Sequence, residues 1–180
     1  MRKTISEEYQ ALNVEHHNSR VWGVAGGKWV NLISEILKQN DARTVLDYGA
    51  GRGVLSEGLR GKGYLVTEYD PGVIGKALKP VDGIVFDYIV STDVFEHIER
   101  EFVENALDEI RDYMKVGGVF VICLGIAKKH WLKDGRNAHV LVRPREWWRK
   151  QLLKRFPVVK ELPGRNWKSR EMVVHVKKLK

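Results

Sequence analysis

Apolar residues recur along the 180-residue chain in two alternating patterns. Short continuous apolar runs bounded by turn residues suit strands buried on both faces, whereas apolar positions three and four apart suit one face of a helix. A weak helical piece covers Ile5 to Leu12. A stronger stripe follows at Trp29, Leu32, Ile33, Ile36 and Leu37, and Asn40-Asp41 breaks it. The run Thr44 to Tyr48 predicts a strand, and Val54, Leu55 and Leu59 predict a short helix ending near Gly61 and Gly63. A second strand spans Tyr64 to Tyr69 and closes on Asp70-Pro71-Gly72. The stretch 72–82 has room for one helical turn and at most a very short strand. Asp87 to Ser91 predicts the next strand. Ile98, Phe102, Leu107, Ile110 and Met114, with Val103 and Ala106 beside them, predict an amphipathic helix stopped by Gly117-Gly118. A buried strand over Val119 to Leu124 and a helix over about 144–155 come next. Two final strands, Val158 to Leu162 and Met172 to Val176, are placed to pair across a turn at Pro163-Gly164.

Strands alternating with helices predict a parallel sheet with right-handed crossovers, and the length predicts one compact domain. No internal repeat or low-complexity segment interrupts it. No apolar stretch approaches membrane-spanning length and the N-terminus has no apolar signal core, so the expected location is cytoplasmic. Cys123 is the single cysteine. It excludes an internal disulfide and is expected to be a small buried hydrophobe.

Charge is unevenly spread. Residues 1–125 hold 14 Lys/Arg against 19 Asp/Glu, a net of −5, while residues 126–180 hold 17 against 4, a net of +13. From Lys128 to Lys150, Trp131, Trp147 and Trp148 are interleaved with lysines and arginines. Such interleaving suits phosphate contact with base stacking, and equally suits Arg stems and indoles covering a helix that packs on the sheet.

The chemistry concentrates at Thr44-Val-Leu-Asp-Tyr-Gly-Ala-Gly-Arg-Gly53. Glycines there let backbone approach a ligand too closely for any Cβ. A dinucleotide site wants a third glycine where Val54 stands, and Asp47 would repel a pyrophosphate. Both oppose a nicotinamide-dependent oxidoreductase. A carboxylate at a strand tip suits a cationic ligand instead.

This run resembles motif I of the class I S-adenosylmethionine (SAM) dependent methyltransferases, whose cofactor carries an amino group and a sulfonium. The resemblance covers about residue 29 to the end. It implies an α/β, Rossmann-like sheet, mostly parallel with an antiparallel C-terminal edge hairpin, and SAM as cofactor with S-adenosylhomocysteine as product. Residues 29–180 would form the SAM-binding domain. Residues 1–28 would be an N-terminal segment where the family often closes a lid, with His16, His17 and Trp22 before a hinge at Gly23, Gly26 and Gly27. The resemblance lays Asp47, Tyr48, Gly49, Ala50 and Gly51 along the methionine part of the cofactor. Asp70, followed by Pro71, matches the acid that holds both ribose hydroxyls, with Glu68 as its competitor. Ser91, Thr92 and Asp93 would lie near the sulfonium. The adenine-contacting segment has no counterpart at Lys79-Pro80-Val81-Asp82.

Methyl transfer asks the protein to hold acceptor and methyl in line and sometimes to remove a proton. His97 is the candidate general base, with Asp93 beside it, because its ordinary pKa lies near neutrality. Arg136 and His139 are candidate acceptor contacts, and His139 joins the catalytic set, since many small-molecule members place a His before the corresponding helix. Asp93, Glu96 and His97, with the distal His139, are similar to the Glu-x-x-Glu-His stretch of metal-dependent members. Asp93 departs from it and no second adjacent His follows, so no metal is expected. The signatures of DNA amino-, cytosine C5- and ribose 2′-O-methyltransferases are not apparent. The reading is therefore a SAM-dependent methyltransferase of a small molecule, by O- or N-methylation. The alternative is a nucleic-acid-binding or nucleic-acid-modifying protein using the basic C-terminal third.

Overall fold

A computed structural model describes residues 2–19, 22–125, 130–163 and 170–178. The element order is α1 (Glu7–Ser19), a 3-10 turn at Ala25–Trp29, α2 (Val30–Gln39), β1 (Thr44–Tyr48), α3 (Val54–Arg60), β2 (Leu65–Tyr69), β3 (Phe86–Thr92), 3-10 turns at Phe95–His97 and Arg100–Phe102, α4 (Val103–Tyr113), β4 (Met114–Cys123), α5 (Arg145–Leu153), β5 (Val158–Leu162) and β6 (Glu171–Lys177). The strands form one sheet in the order β2-β1-β3-β4-β6-β5. The first four are mutually parallel, while β6 runs antiparallel to both β4 and β5. This is the expected mostly parallel sheet with an antiparallel C-terminal pair. The last strand slots inside, leaving β5 at the edge. Gly164, half of the expected turn between these strands, lies outside the described residues, as do Lys128 and Lys129.

Each face of the sheet has its own core. Trp29, Ile33, Leu37, Leu55 and Leu59 cover one face over Val45, Val90 and Val121. On the other, α4 and α5 bring Leu107, Ile110, Trp148 and Leu152 onto Leu46, Ile89, Phe120 and Ile122. Burying each such side chain contributes about 1.5–3 kcal/mol. The central strands are apolar on both faces for that reason, whereas edge strand β2 alternates exposed and partly buried residues along most of its length.

Three local readings need correction. The first helix runs to Ser19 rather than stopping at Leu12, and it buries Tyr9, Asn13 and His16. Apolar periodicity cannot show a helix whose buried face is largely polar. It starts at Ser6, whose Oγ accepts the Tyr9 N–H at 3.1 Å and whose own amide and hydroxyl donate to Glu99. Second, Gly117 and Gly118 do not stop α4 but lie inside β4, which follows it directly. A Cβ on Gly117 would sit 2.6 Å from the Val176 carbonyl oxygen, and one on Gly118 would sit 2.9 Å from that of Ile89. Third, residues 70–85 contain neither helix nor strand.

A third, smaller cluster ties the N-terminus to the loop after β4. Tyr9, fully buried, packs with Leu132 and Ala138, and its hydroxyl donates to the Ala138 carbonyl at 3.0 Å. The sheet order reverses between β1 and β3, which places a crevice beyond their carboxyl ends.

Candidate active site

A pocket of about 420 Å³ occupies that crevice. Its size lies within the range of small-ligand sites. The turn after β1 forms one wall. The amides of Gly49 and Ala50 both donate to the Tyr69 carbonyl, at 2.7 and 3.1 Å, which pins this turn to the end of β2. Gly51 has a left-handed backbone, φ 52°, and a Cβ there would lie 2.7 Å from the Gly23 carbonyl oxygen. Asp70 braces the same turn: one carboxylate oxygen accepts the Gly51 N–H and the other the Gly72 N–H, both at 2.8 Å. Each oxygen keeps a lone pair for a ligand hydroxyl.

Asp47 lines the pocket yet is 1% exposed. Burial pushes its carboxyl up to about 7, against the opposing hydrogen bond from Ser56 Oγ at 2.7 Å. Its charge therefore awaits a cation. Tyr48 is buried and donates to Glu109 at 3.0 Å, while Pro71 and Thr92 complete this side. Glu68 does not line the pocket; it pairs with Arg60 and Lys76.

Beyond β3 the chain turns at Asp93, whose left-handed φ of 56° is tolerated by a short polar side chain. Lys28 Nζ lies 3.2 Å from Asp93 and 2.8 Å from Glu171 at the start of β6. Burial raises the Asp93 pKa, and Lys28 works against that rise. His97 Nδ1 sits 2.7 Å from the Ala138 carbonyl. A carbonyl only accepts, so Nδ1 carries the hydrogen and Nε2 the lone pair. Burial, with His139 adjacent, lowers His97 to about 3, so the ring is neutral near pH 7. His139 makes the same bond from Nδ1 to the Gly125 carbonyl at 2.5 Å, which leaves its Nε2 a lone pair too. Burial lowers its pKa as well.

The N-terminal segment supplies the remaining wall. Trp22 is the hub: its ring meets His16 at 4.4 Å, His17 at 4.6 Å and His97 at 5.1 Å, while His97 meets His139 at 4.7 Å. His130 lies 6.2 Å from Trp22, so five of the chain's six histidines gather here. Arg52 stitches this segment to the glycine turn. Its amide donates to the Gly23 carbonyl at 2.9 Å, and its guanidinium donates to the carbonyls of Trp22 and His17.

The structure thus brings together Asp47, Tyr48, Gly49, Ala50, Gly51, Asp70, Pro71, Thr92, Asp93, His97 and His139 around one pocket. Arg136 lies outside the lining, with its guanidinium paired to Glu8 and Asp134. Sequence reasoning did not single out Lys28, Arg52 or Glu171. It read Cys123 as a buried hydrophobe, whereas Cys123 is half-buried in the pocket wall. Arg52, set between two glycines of the turn, was the readable signal. Lys28 and Glu171 meet only through the tertiary fold.

Part of the basic C-terminal third is engaged in packing and ion pairs. Trp148 is fully buried, and Trp147 is flanked by the guanidinium groups of Arg100 and Arg143. Arg145 pairs with Glu161, and Arg155 with Asp108 at 2.8 Å. Trp147 and Trp148 serve packing while Trp131 is exposed, and no described helix is long and apolar enough to cross a membrane.

An acid-lined glycine turn at the switch point of a parallel sheet with an antiparallel end pair defines a class I methyltransferase domain. The family profile described as "Methyltransferase domain" matches residues 15–157, and the chain belongs to that family, the SAM-dependent methyltransferases. No curated protein matches the chain in sequence. Among solved structures, it resembles Burkholderia thailandensis 1,6-didemethyltoxoflavin-N1-methyltransferase, with 18% identity and a TM-score of 0.65 over all of this chain and 93% of that one. An O-methyltransferase family protein from the same organism shares 14% identity at a TM-score of 0.60 over 84% of this chain, which spans only 55% of that protein's length. A SAM-dependent methyltransferase from Clostridium acetobutylicum shares 17% identity at a TM-score of 0.58, over 83% of this chain and 90% of that one. At these identities the likeness shows the shared fold. The pocket fits SAM on its own terms: close-approach glycines beside Asp47 suit a cationic chain, and Asp70 suits a pair of hydroxyls.

Proposed function

We propose that this protein transfers a methyl group from SAM to a small-molecule acceptor, by N- or O-methylation. The observation that carries it is the pocket itself. It joins the glycine turn, with Asp47 and Asp70, to a cavity walled by Trp22 and the imidazoles of His97 and His139, and among the described residues five carboxyl groups line it against one lysine. Within the described lining that balance disfavours a polyanion. The neighbour bound to 1,6-didemethyltoxoflavin and S-adenosylhomocysteine supports a small acceptor.

In this reading Asp47, Tyr48 and Gly49 to Gly51 hold the methionine end of the cofactor, and Asp70 with Pro71 holds the ribose. Thr92 and Asp93 border the reacting centre. Bound SAM supplies an electrophilic methyl on sulfur. The chain's own work is positioning and proton removal. With its pKa lowered to about 3, His97 Nε2 is a weak base that takes the acceptor's proton only once alkylation has made that proton strongly acidic, with the Ala138 carbonyl fixing the tautomer and His139 beside it. Residues 1–28 act as the lid over the domain at 29–180: Trp22 closes the acceptor side, and Lys28 latches to Asp93 and Glu171.

Incubation with methyl-labelled SAM and a panel of phenols, amines and heteroaromatic amines, beside DNA and RNA, tests this. Label should enter a small molecule and not nucleic acid. Label in RNA or DNA alone would overturn it.

A further inference from the structure

Glu96 sits in the 3-10 turn Phe95–His97 with no exposed surface, and it lines the pocket. Neither of its carboxyl oxygens has a hydrogen-bond partner among the described residues. Burial and neighbouring Asp93 push its pKa well above the usual range, against the backbone at Glu96 and Cys123, which favours the charged form. Buried polar groups are nearly always satisfied, and one left open in a ligand cavity is matched by something that enters the cavity.

The surroundings narrow what that is. An oxygen of Glu96, the Cys123 sulfur and a ring nitrogen of His139 lie within 4.8 Å of one another. Trp22 and His97 stand beside them as ring walls. Lys28, the one lysine of the described lining, is already engaged by Asp93 and Glu171, and no described arginine lines the pocket. The described lining thus meets a carboxylate or phosphate acceptor mostly with like charge.

Protonation supplies the last constraint. A neutral carboxyl offers one donor and one acceptor, while an ionised one offers two acceptors. An amino group beside a ring nitrogen satisfies both states. The neutral ring nitrogen accepts the O–H while the amino group donates; once protonated, both donate to the carboxylate as a charge-assisted pair. A phenol or alcohol gives a single donor and leaves an oxygen open.

We infer that Glu96 is the acceptor-recognition carboxyl of this pocket, and that the acceptor is a planar nitrogen heterocycle with an amino group beside a ring nitrogen, its edge on Glu96 and its plane among the rings of Trp22 and His97. This rests on the pocket being the methyl-acceptor site.

Calorimetry with 2-aminobenzimidazole and plain benzimidazole, at saturating S-adenosylhomocysteine, tests it in the wild type, Glu96→Met and Glu96→Gln. The wild type should bind the amino compound at least about tenfold more tightly than benzimidazole. Glu96→Met should lose that preference, keep its affinity for S-adenosylhomocysteine and melt no lower than the wild type, because it removes an unsatisfied buried group. Glu96→Gln, which retains one donor and one acceptor, should keep most of the preference. Equal binding of the two probes by the wild type, no binding of either, or an unchanged preference in Glu96→Met would overturn the inference. So would a Met variant that melts lower or does not fold, since Glu96 would then be structural. One equivalent of Zn²⁺ held by the wild type and lost in Glu96→Met, with neither probe bound, would replace it with a metal site. Failure to bind S-adenosylhomocysteine reads on the methyltransferase function separately from these outcomes.

Discussion

Gly23 and Gly51 meet backbone to backbone: a Cβ on Gly23 would lie 2.9 Å from the Gly51 Cα, and one on Gly51 would lie 2.8 Å from the Gly23 Cα. Two segments far apart in sequence are thereby clamped, the strap before α2 against the cofactor turn. Gly23 itself adopts a left-handed φ of 72°. Gly23→Val should therefore lift the strap from the turn and weaken S-adenosylhomocysteine binding by about tenfold or more, with a loss of stability of roughly 1–3 kcal/mol. Calorimetry beside chemical denaturation checks this; unchanged affinity would show that the strap does not shape the pocket.

Asp70 ties Gly51 and Gly72 together and faces the cavity. Asp70→Ala should weaken S-adenosylhomocysteine by roughly 2–3 kcal/mol through lost charge-assisted contacts. A ligand lacking the ribose diol should lose little further affinity in this variant, and calorimetry with both ligands reads the difference.

Asp47 makes the pH dependence specific. Its folded pKa of about 7 lies above the roughly 4 of an unfolded aspartate. Folding takes up a proton between those values, so this group removes stability from the ligand-free protein as pH rises from about 4 to 7. A ligand amino group needs the ionised form, so affinity should rise with pH up to about 7 and then level off. Titrations from pH 5.5 to 8.5 should show that rise in the wild type and a flatter profile in Asp47→Asn.

His97 titrates in the opposite sense. Its folded pKa of about 3 lies below the roughly 6.5 of the unfolded chain, so its contribution is present above 6.5 and is lost as pH falls toward 3. His97→Asn retains a donor toward the Ala138 carbonyl and lacks the Nε2 lone pair. On whichever small acceptor takes up label, it should lower turnover by roughly 10²-fold or more while leaving S-adenosylhomocysteine binding intact. Equal turnover would remove the base from the mechanism.

Much of this was legible in the sequence because it is local. Thr44–Tyr48 is a strand because its apolar run is buried on both faces, and the glycine spacing after Asp47 marks a close backbone approach. Tertiary partnerships were not legible. Glu171 shares Lys28 with Asp93 across 78 residues, and nothing in the periodicity of either segment announces that. α1 escaped because it buries Asn13 and His16. Gly117 and Gly118 read as a helix stop because crowding by Val176 and Ile89 is invisible in one dimension. Arg136, basic and close to His139 in sequence, faces Glu8 instead.

Melting the protein with SAM, S-adenosylhomocysteine and NAD in parallel tests the central claim most directly, since a ligand that binds only the folded state must stabilise it. SAM and S-adenosylhomocysteine at about a hundred times their dissociation constants should add about 2.7 kcal/mol each and raise the melting temperature, while NAD leaves it in place. A shift with NAD alone, or with none of the three, would contradict the assignment.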